Sequence, residues 1–177
     1  LERLLSSESL RGLPAVFAHL DLLRDQDGTP VFVTDSGPLA EVLSVITSRA
    51  SLGDPATGRA LADHFAGEPY GWEFDVVRLL AVSLLRAGAV VATSQGKELD
   101  SATGTDARAA FPNNNLFRQA SFRPKEGLDR RKVAKAARLV EDTFGTPVPE
   151  LAEDAVARVL RAEADRVEPA ITDAAAR

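Results

Sequence analysis

Gly67-Glu68-Pro69-Tyr70-Gly71-Trp72 is the stretch on which the reading of the fold turns, and it holds the only Tyr and the only Trp of the chain. Pro69 and the two glycines impose a bend. On one side lies Thr57-Gly58-Arg59-Ala60-Leu61-Ala62-Asp63-His64-Phe65-Ala66, where Thr57 can accept a hydrogen bond from an exposed N–H and so cap a helix anchored by Leu61 and Phe65. On the other side, Phe74 to Ala87 is apolar nearly all round, with only Asp75, Arg78, Ser83 and Arg86 forming a narrow polar line. Such a helix is central, contacted on several sides. Rings at a bend of this kind wedge two helices at a fixed angle, so Pro69, Tyr70, Gly71 and Trp72 read as a structural corner; stacking on a ligand is the other reading.

Past the apolar run, Gly88 stands where a left-handed C-cap is expected, and Ala89 to Thr93 changes to strand chemistry. Ser94-Gln95-Gly96-Lys97 is a turn, and Glu98-Leu99-Asp100 returns as the second strand of a hairpin. Helix, turn, apolar helix and hairpin in that order outline a winged-helix-like core over 56–104. The fold class expected is therefore mainly α, a helical domain with that core and a small β-hairpin.

An N-terminal helical part, 1–55, precedes it. Leu10, Leu13, Val16, Phe17, Leu20 and Leu23 recur at helical steps, and Pro14 suits a first turn. Asp27-Gly28-Thr29-Pro30 ends that helix, Val31-Phe32-Val33 is a β-prone run expected to pair with a later strand, and Ser36-Gly37-Pro38 opens a helix with Leu39, Val42, Leu43 and Ile46 on one face. A C-terminal helical part, 105–177, follows the core, and the three parts fit a single packed domain. It has a short helical piece at 107–111, a break at Pro112-Asn113-Asn114-Asn115, and a helix carrying Val133, Ala136, Ala137, Val140 and Phe144, with Asp129 near its start and Gly145 at its end. The last helix spans about 149–167, with Leu151, Ala155, Val156, Val159 and Leu160 inward and Pro169 interrupting it.

Composition restricts the chemistry. The 177 residues are enough to bury a real core, and with no Cys there is no thiol nucleophile, disulfide or thiolate metal site, which fits a reducing, cytoplasmic setting. His19 and His64, the only histidines, stand far apart and outside any zinc-binding spacing. No apolar run reaches the roughly 18 residues that cross a bilayer, so no membrane partner is expected. The absence of Met implies an excised or processed piece of a longer chain. Gly96-Lys97 ends no phosphate-binding loop, because Val91 and Glu98 stand where that motif needs Gly and Ser or Thr. Acidic pairs such as Glu141-Asp142 read as solvated helix faces, and no Ser has a companion His in a nucleophile motif. The segment is thus expected to be no enzyme and to hold no cofactor or metal.

The net charge of −5 argues against a protein that coats nucleic acid with its whole surface. One basic concentration stands out, however: Arg118, Arg123, Lys125, Arg130, Arg131, Lys132, Lys135 and Arg138, opposed only by Glu126 and Asp129. It suits salt-sensitive, sequence-indifferent contacts to DNA phosphates or contacts to a partner; a solvated helix face is the plainer reading. The apolar helix itself is poorly suited to the major groove, because Glu73 and Asp75 lead it.

Thr57-Gly58-Arg59 with Leu61 and Phe65, then Pro69-Tyr70-Gly71-Trp72, then Asp75, Val76, Leu79, Leu80, Leu84 and Gly88 resemble a segment of the large P-loop proteins of bacterial phage-defence islands, the BrxC/PglY family of the BREX and phage growth limitation systems. Phe117 to Phe122, the basic helix ending at Phe144-Gly145 and the last helix are similar in order, with weaker motifs. The resemblance implies a non-catalytic helical module of a phage-resistance ATPase, linking it to partner subunits or to its own other domains. With no Walker motif in the segment, it transfers ATP hydrolysis to no residue here.

Overall fold

The computed structural model describes residues 1–26, 28–125 and 130–175. Helices account for 55% of the chain and the sheets are small and antiparallel, so the protein is mainly α. Two compact units divide it, residues 1–128 and 129–177. The divisions expected at 55 and 104 both fall inside the first unit, because one apolar core joins Leu4, Phe17, Leu39, Leu61, Leu80, Phe111 and Phe122 across them.

Within the first unit the corner's flanks form as their residues dictate. Ser36-Gly37-Pro38 opens helix α3 (Gly37–Ser51), which buries Leu39, Val42 and Ile46. A two-residue strand, β3 (Ala56–Thr57), leads into helix α4 (Gly58–Ala66), whose cap is Thr57 accepting from the Ala60 N–H at 3.1 Å. Helix α5 (Phe74–Arg86) follows the corner. It ends at Gly88: the Gly88 N–H donates to Leu85 O and the Ala89 N–H to Leu84 O, each at 3.0 Å. Strands β4 (Val90–Ser94) and β5 (Lys97–Leu99) then close a hairpin with Ser94 opposite Lys97. The order over this run is helix, short strand, helix, helix, hairpin.

Elsewhere the first unit departs from the expected pattern. The N-terminal stripe is no single helix but a 3-10 turn (Leu10–Gly12), a four-residue helix α2 (Val16–His19) and, with Leu23, the first residue of strand β1 (Leu23–Gln26). Pro14 lacks the N–H that would join the first two pieces, and Asp21 adopts a left-handed φ of 51° that ends α2. Strand β2 (Thr29–Phe32) therefore pairs back onto β1, not onto a later strand, and turns Val31 and Phe32 inward. Helix α1 (Glu2–Ser6) precedes them, and the short helices α6 (Thr105–Ala110) and α7 (Asn114–Gln119) follow the hairpin. Strand β6 (Ser121–Pro124), unforeseen in a stretch dominated by its charges, sits between β3 and β4 and gives the sheet order β3-β6-β4-β5. Its Phe122 points into the core.

The second unit contains helices α8 (Arg130–Phe144) and α9 (Glu153–Ala175), which pack on each other. Their core is Ala137, Val140, Val148, Ala152, Ala155 and Val156, with Val133, Phe144, Leu151 and Val159 at its margin. Leu160, expected inward, is 46% exposed, and Ala136 of α8 is exposed as well. The last helix starts later than expected and continues past Pro169, where one missing N–H removes a single backbone bond. Asp129, expected near the start of α8, lies outside the described residues.

Candidate functional site

The corner is built by three successive backbone bonds. Gly67 O accepts from the Tyr70 and Gly71 N–H groups at 3.1 and 3.0 Å, and Phe65 O accepts from the Trp72 N–H at 2.7 Å. Gly71 carries a φ of 63°, the left-handed conformation for which a glycine is needed; Gly67, by contrast, is extended with φ −79° and does not set the bend. Glu68–Pro69 is cis. Trp72 stacks on the buried Phe65 with centroids 4.8 Å apart and planes 11° apart, while Tyr70 meets Phe65 edge-on at 4.8 Å. Both rings are half-buried and pack on the core.

The Tyr70 hydroxyl reaches beyond its own corner and donates to Glu41 Oε2 on α3 at 3.0 Å. This bond, with burial and the nearby Glu41 charge, raises the Tyr70 pKa above its usual 10.0. Three helices are thereby fixed to one another: α4 through Phe65, α5 through the chain that leaves Trp72, and α3 through Glu41. His64 lies exposed beside the cluster, 5.9 Å from Tyr70 between ring centroids.

Helix α5 is buried without a break from Leu80 to Arg86. Helices α3, α4 and α1 all pack on it. Of its polar line only Asp75 is exposed; Ser83 and Arg86 are buried and Arg78 is half-buried. Arg78 donates to Pro112 O at 3.2 Å and to Asn114 Oδ1 and Asp75 Oδ1 at 2.5 and 2.6 Å. Arg86, only 3% exposed, donates to Leu4 O and, at 2.7 Å, to Ser7 O. These side chains stitch residues 4–7 and 112–114 onto the central helix. Phe74, at the start of α5, is approached by two guanidinium groups, Arg118 at 4.5 Å and Arg78 at 5.3 Å from its ring centroid.

The basic stretch is not one surface element. Arg118 is exposed on α7; Arg123 projects from β6 and pairs with Glu98 Oε2 at 2.7 Å; Lys125 follows β6, its N–H donating to Ala89 O at 3.0 Å. Lys135 and Arg138 are exposed on α8, in the other unit. The side chains of Arg130, Arg131 and Lys132 lie outside the described residues. Within the first unit, then, the cations sit on separate elements, and one of them is already engaged by a carboxylate.

Among the described residues no group of three or more His, Asp or Glu side chains is placed to hold a metal ion, and no helix is long and apolar enough to cross a membrane. No protein-family model matches the chain, and no solved structure matches it.

The contacts of three residues on which the arrangement depends were not foreseen from the sequence. Glu41 gave no local signal, because its partner lies 29 positions away. Arg86 did give one: a cation directly after Val82-Ser83-Leu84-Leu85 is buried with them if the helix is covered on all sides. Gly58 sits so close to α7 that an added Cβ would stand 2.1 Å from Phe117 O, while its own N–H donates to Ala120 O at 2.8 Å. A glycine at the first position of a helix, where side chains are ordinarily tolerated, was the readable sign.

Proposed function

We propose that the chain is a non-catalytic interaction module with a winged-helix-like core, part of a large P-loop ATPase of the BREX and phage growth limitation type. In this reading it links that ATPase to partner subunits or to its other domains in the cytoplasm. The observation that carries the non-catalytic, scaffolding part is the burial of α5. The helix that a winged-helix DNA reader would offer to the major groove is covered from Leu80 to Arg86, and its two arginines hold the protein's own backbone. The run α3, β3, α4, α5, β4, β5 supports the winged-helix-like description, with β6 inserted between β3 and β4 as its departure. The defence assignment rests on the Pro-Tyr-Gly-Trp corner and its flanks. Sequencing outward from this segment tests it: a phosphate-binding loop in the same reading frame supports it, and a complete frame without one rejects it.

A second reading is sequence-indifferent DNA binding through the stretch 118–138. What favours it is Arg118, exposed and placed over the Phe74 ring at 4.5 Å from its centroid, together with the exposed Lys135 and Arg138. Anisotropy titrations of duplex and single-stranded DNA at two salt concentrations decide between the readings. The scaffold reading expects no binding at low salt; saturable binding that weakens with salt and is lost on charge reversal at Arg130, Arg131 and Lys132 establishes the alternative.

A further inference from the structure

Helix α1 has five residues, too few to persist as an isolated helix, and its N-cap Leu1 makes no side-chain bond. Its order comes from what it packs against. Leu4 and Leu5 are 0% and 2% exposed, and the helix lies on α5 and α6. Its terminal carbonyls, which no further turn satisfies, are met by cations from distant parts of the chain. Arg86 of α5 donates to Leu4 O and Ser7 O, and Arg108 Nε of α6 donates to Leu5 O at 3.0 Å. Guanidinium groups at a helix C-terminus meet the negative end of its dipole, and their planar donor edges suit adjacent carbonyls.

Two features of this contact belong to the socket and not to α1. Both arginines are carried by other helices, and the apolar surface that receives Leu4 and Leu5 is part of the main core. The segment brings the buried Leu4 and Leu5, the partly buried Leu1 and the carbonyls that the arginines meet. We propose that residues 1–7 are an exchangeable clasp, and that the socket bearing Arg86 and Arg108 is a binding site for this Leu-Leu helix end, accepting it in trans as well as in cis. The inference stands apart from the defence assignment, since it uses only contacts within the first unit.

The test uses the full chain with a protease site inserted between Ser7 and Glu8, folded first and cut afterwards. A fluorescent peptide of residues 1–7 is then titrated and followed by anisotropy, with Trp72 emission reporting that the unit stays folded. The expected result is saturable one-to-one binding to the cut chain and none to the uncut chain at the same concentrations. Binding is lost with a Leu4→Asp peptide and falls about tenfold with Arg108→Gln in the chain, a substitution at an exposed side chain that leaves the core intact. Failure of the cut segment to exchange until Trp72 emission reports unfolding overturns the proposal. So does peptide binding that is indifferent to both substitutions.

Discussion

The two units hold their loops by opposite chemistries. In residues 1–128 the long-range polar bonds to backbone are made by cations reading carbonyls: Arg86 to Leu4 and Ser7, Arg108 to Leu5, Arg78 to Pro112, Arg11 to Gly28. In residues 129–177 carboxylates accept instead, one from backbone and one from side chains. Glu141 Oε1 accepts from the Val148 N–H at 3.0 Å, and Glu163 accepts from Thr146 Oγ1 at 2.6 Å and from Arg166 Nε at 2.8 Å. Their cores differ as well. The first is built on phenylalanines and leucines around α5, the second on alanines and valines. Guanidinium groups keep their charge at every accessible pH, whereas carboxylates do not. The units should therefore fail under different conditions, and Trp72 reports on the first alone while helical circular dichroism reports on both.

The strongest way to break this contrast is to open the aromatic core. Phe65→Ala removes the ring on which Trp72 stacks and should lower the stability of the first unit by about 3–5 kcal/mol. In a denaturant titration the Trp72 transition moves to lower concentration while the remaining helical signal, from α8 and α9, stays. Gly58→Ala comes next, at roughly 3 kcal/mol, because the new methyl meets a backbone carbonyl that cannot swing aside. An unchanged midpoint would show that α4 and α7 are not as close as described. Thr57→Ala removes the α4 cap and should cost about 1 kcal/mol, with Thr57→Ser restoring most of it.

Smaller effects follow from pH. The hydrogen bond from Thr146, then that from Arg166, holds Glu163 below its usual 4.5. A depressed carboxylate contributes stability that is fully present above 4.5 and is lost as pH falls through the lower folded value. Acid should thus loosen the second unit first, and Glu163→Gln should flatten that dependence without moving the Trp72 signal. At the other end, Tyr70 is raised above 10.0 by its bond to Glu41, so its contribution is complete below 10.0 and disappears as pH rises through the folded value. Tyr70→Phe should remove this alkaline step while leaving the Trp72 transition at neutral pH nearly where it was.

Where structure is decided locally, the sequence was legible. Thr57 as a cap, Gly88 and Gly145 as stops, the Ser94-to-Lys97 turn and the all-round apolar α5 each depend on residues within one or two turns of one another. Strand β6 was not legible, because four residues with a single inward Phe122 carry little pattern and their partners lie about 30 and 65 positions upstream. The N-terminal leucines misled for the reverse reason: spacing of three and four is also produced by a 3-10 turn, a short helix and a strand that converge on one core. The candidate site followed the same division. Pro69, Tyr70, Gly71 and Trp72 are neighbours in the chain and could be read together, while the tie to Glu41 and the Arg86 stitch required the tertiary fold.

Native-state hydrogen exchange on α5 reaches the centre of the account. If this helix is the covered pivot of the first unit, the amides of Leu80 to Arg86 exchange last in that unit, only through its global unfolding, and with a denaturant dependence as steep as the Trp72 transition. Exchange of those amides through a shallow local opening, faster than that of α3 and α4, would mean that α5 is presented to solvent and available as a recognition surface, which contradicts the scaffold reading.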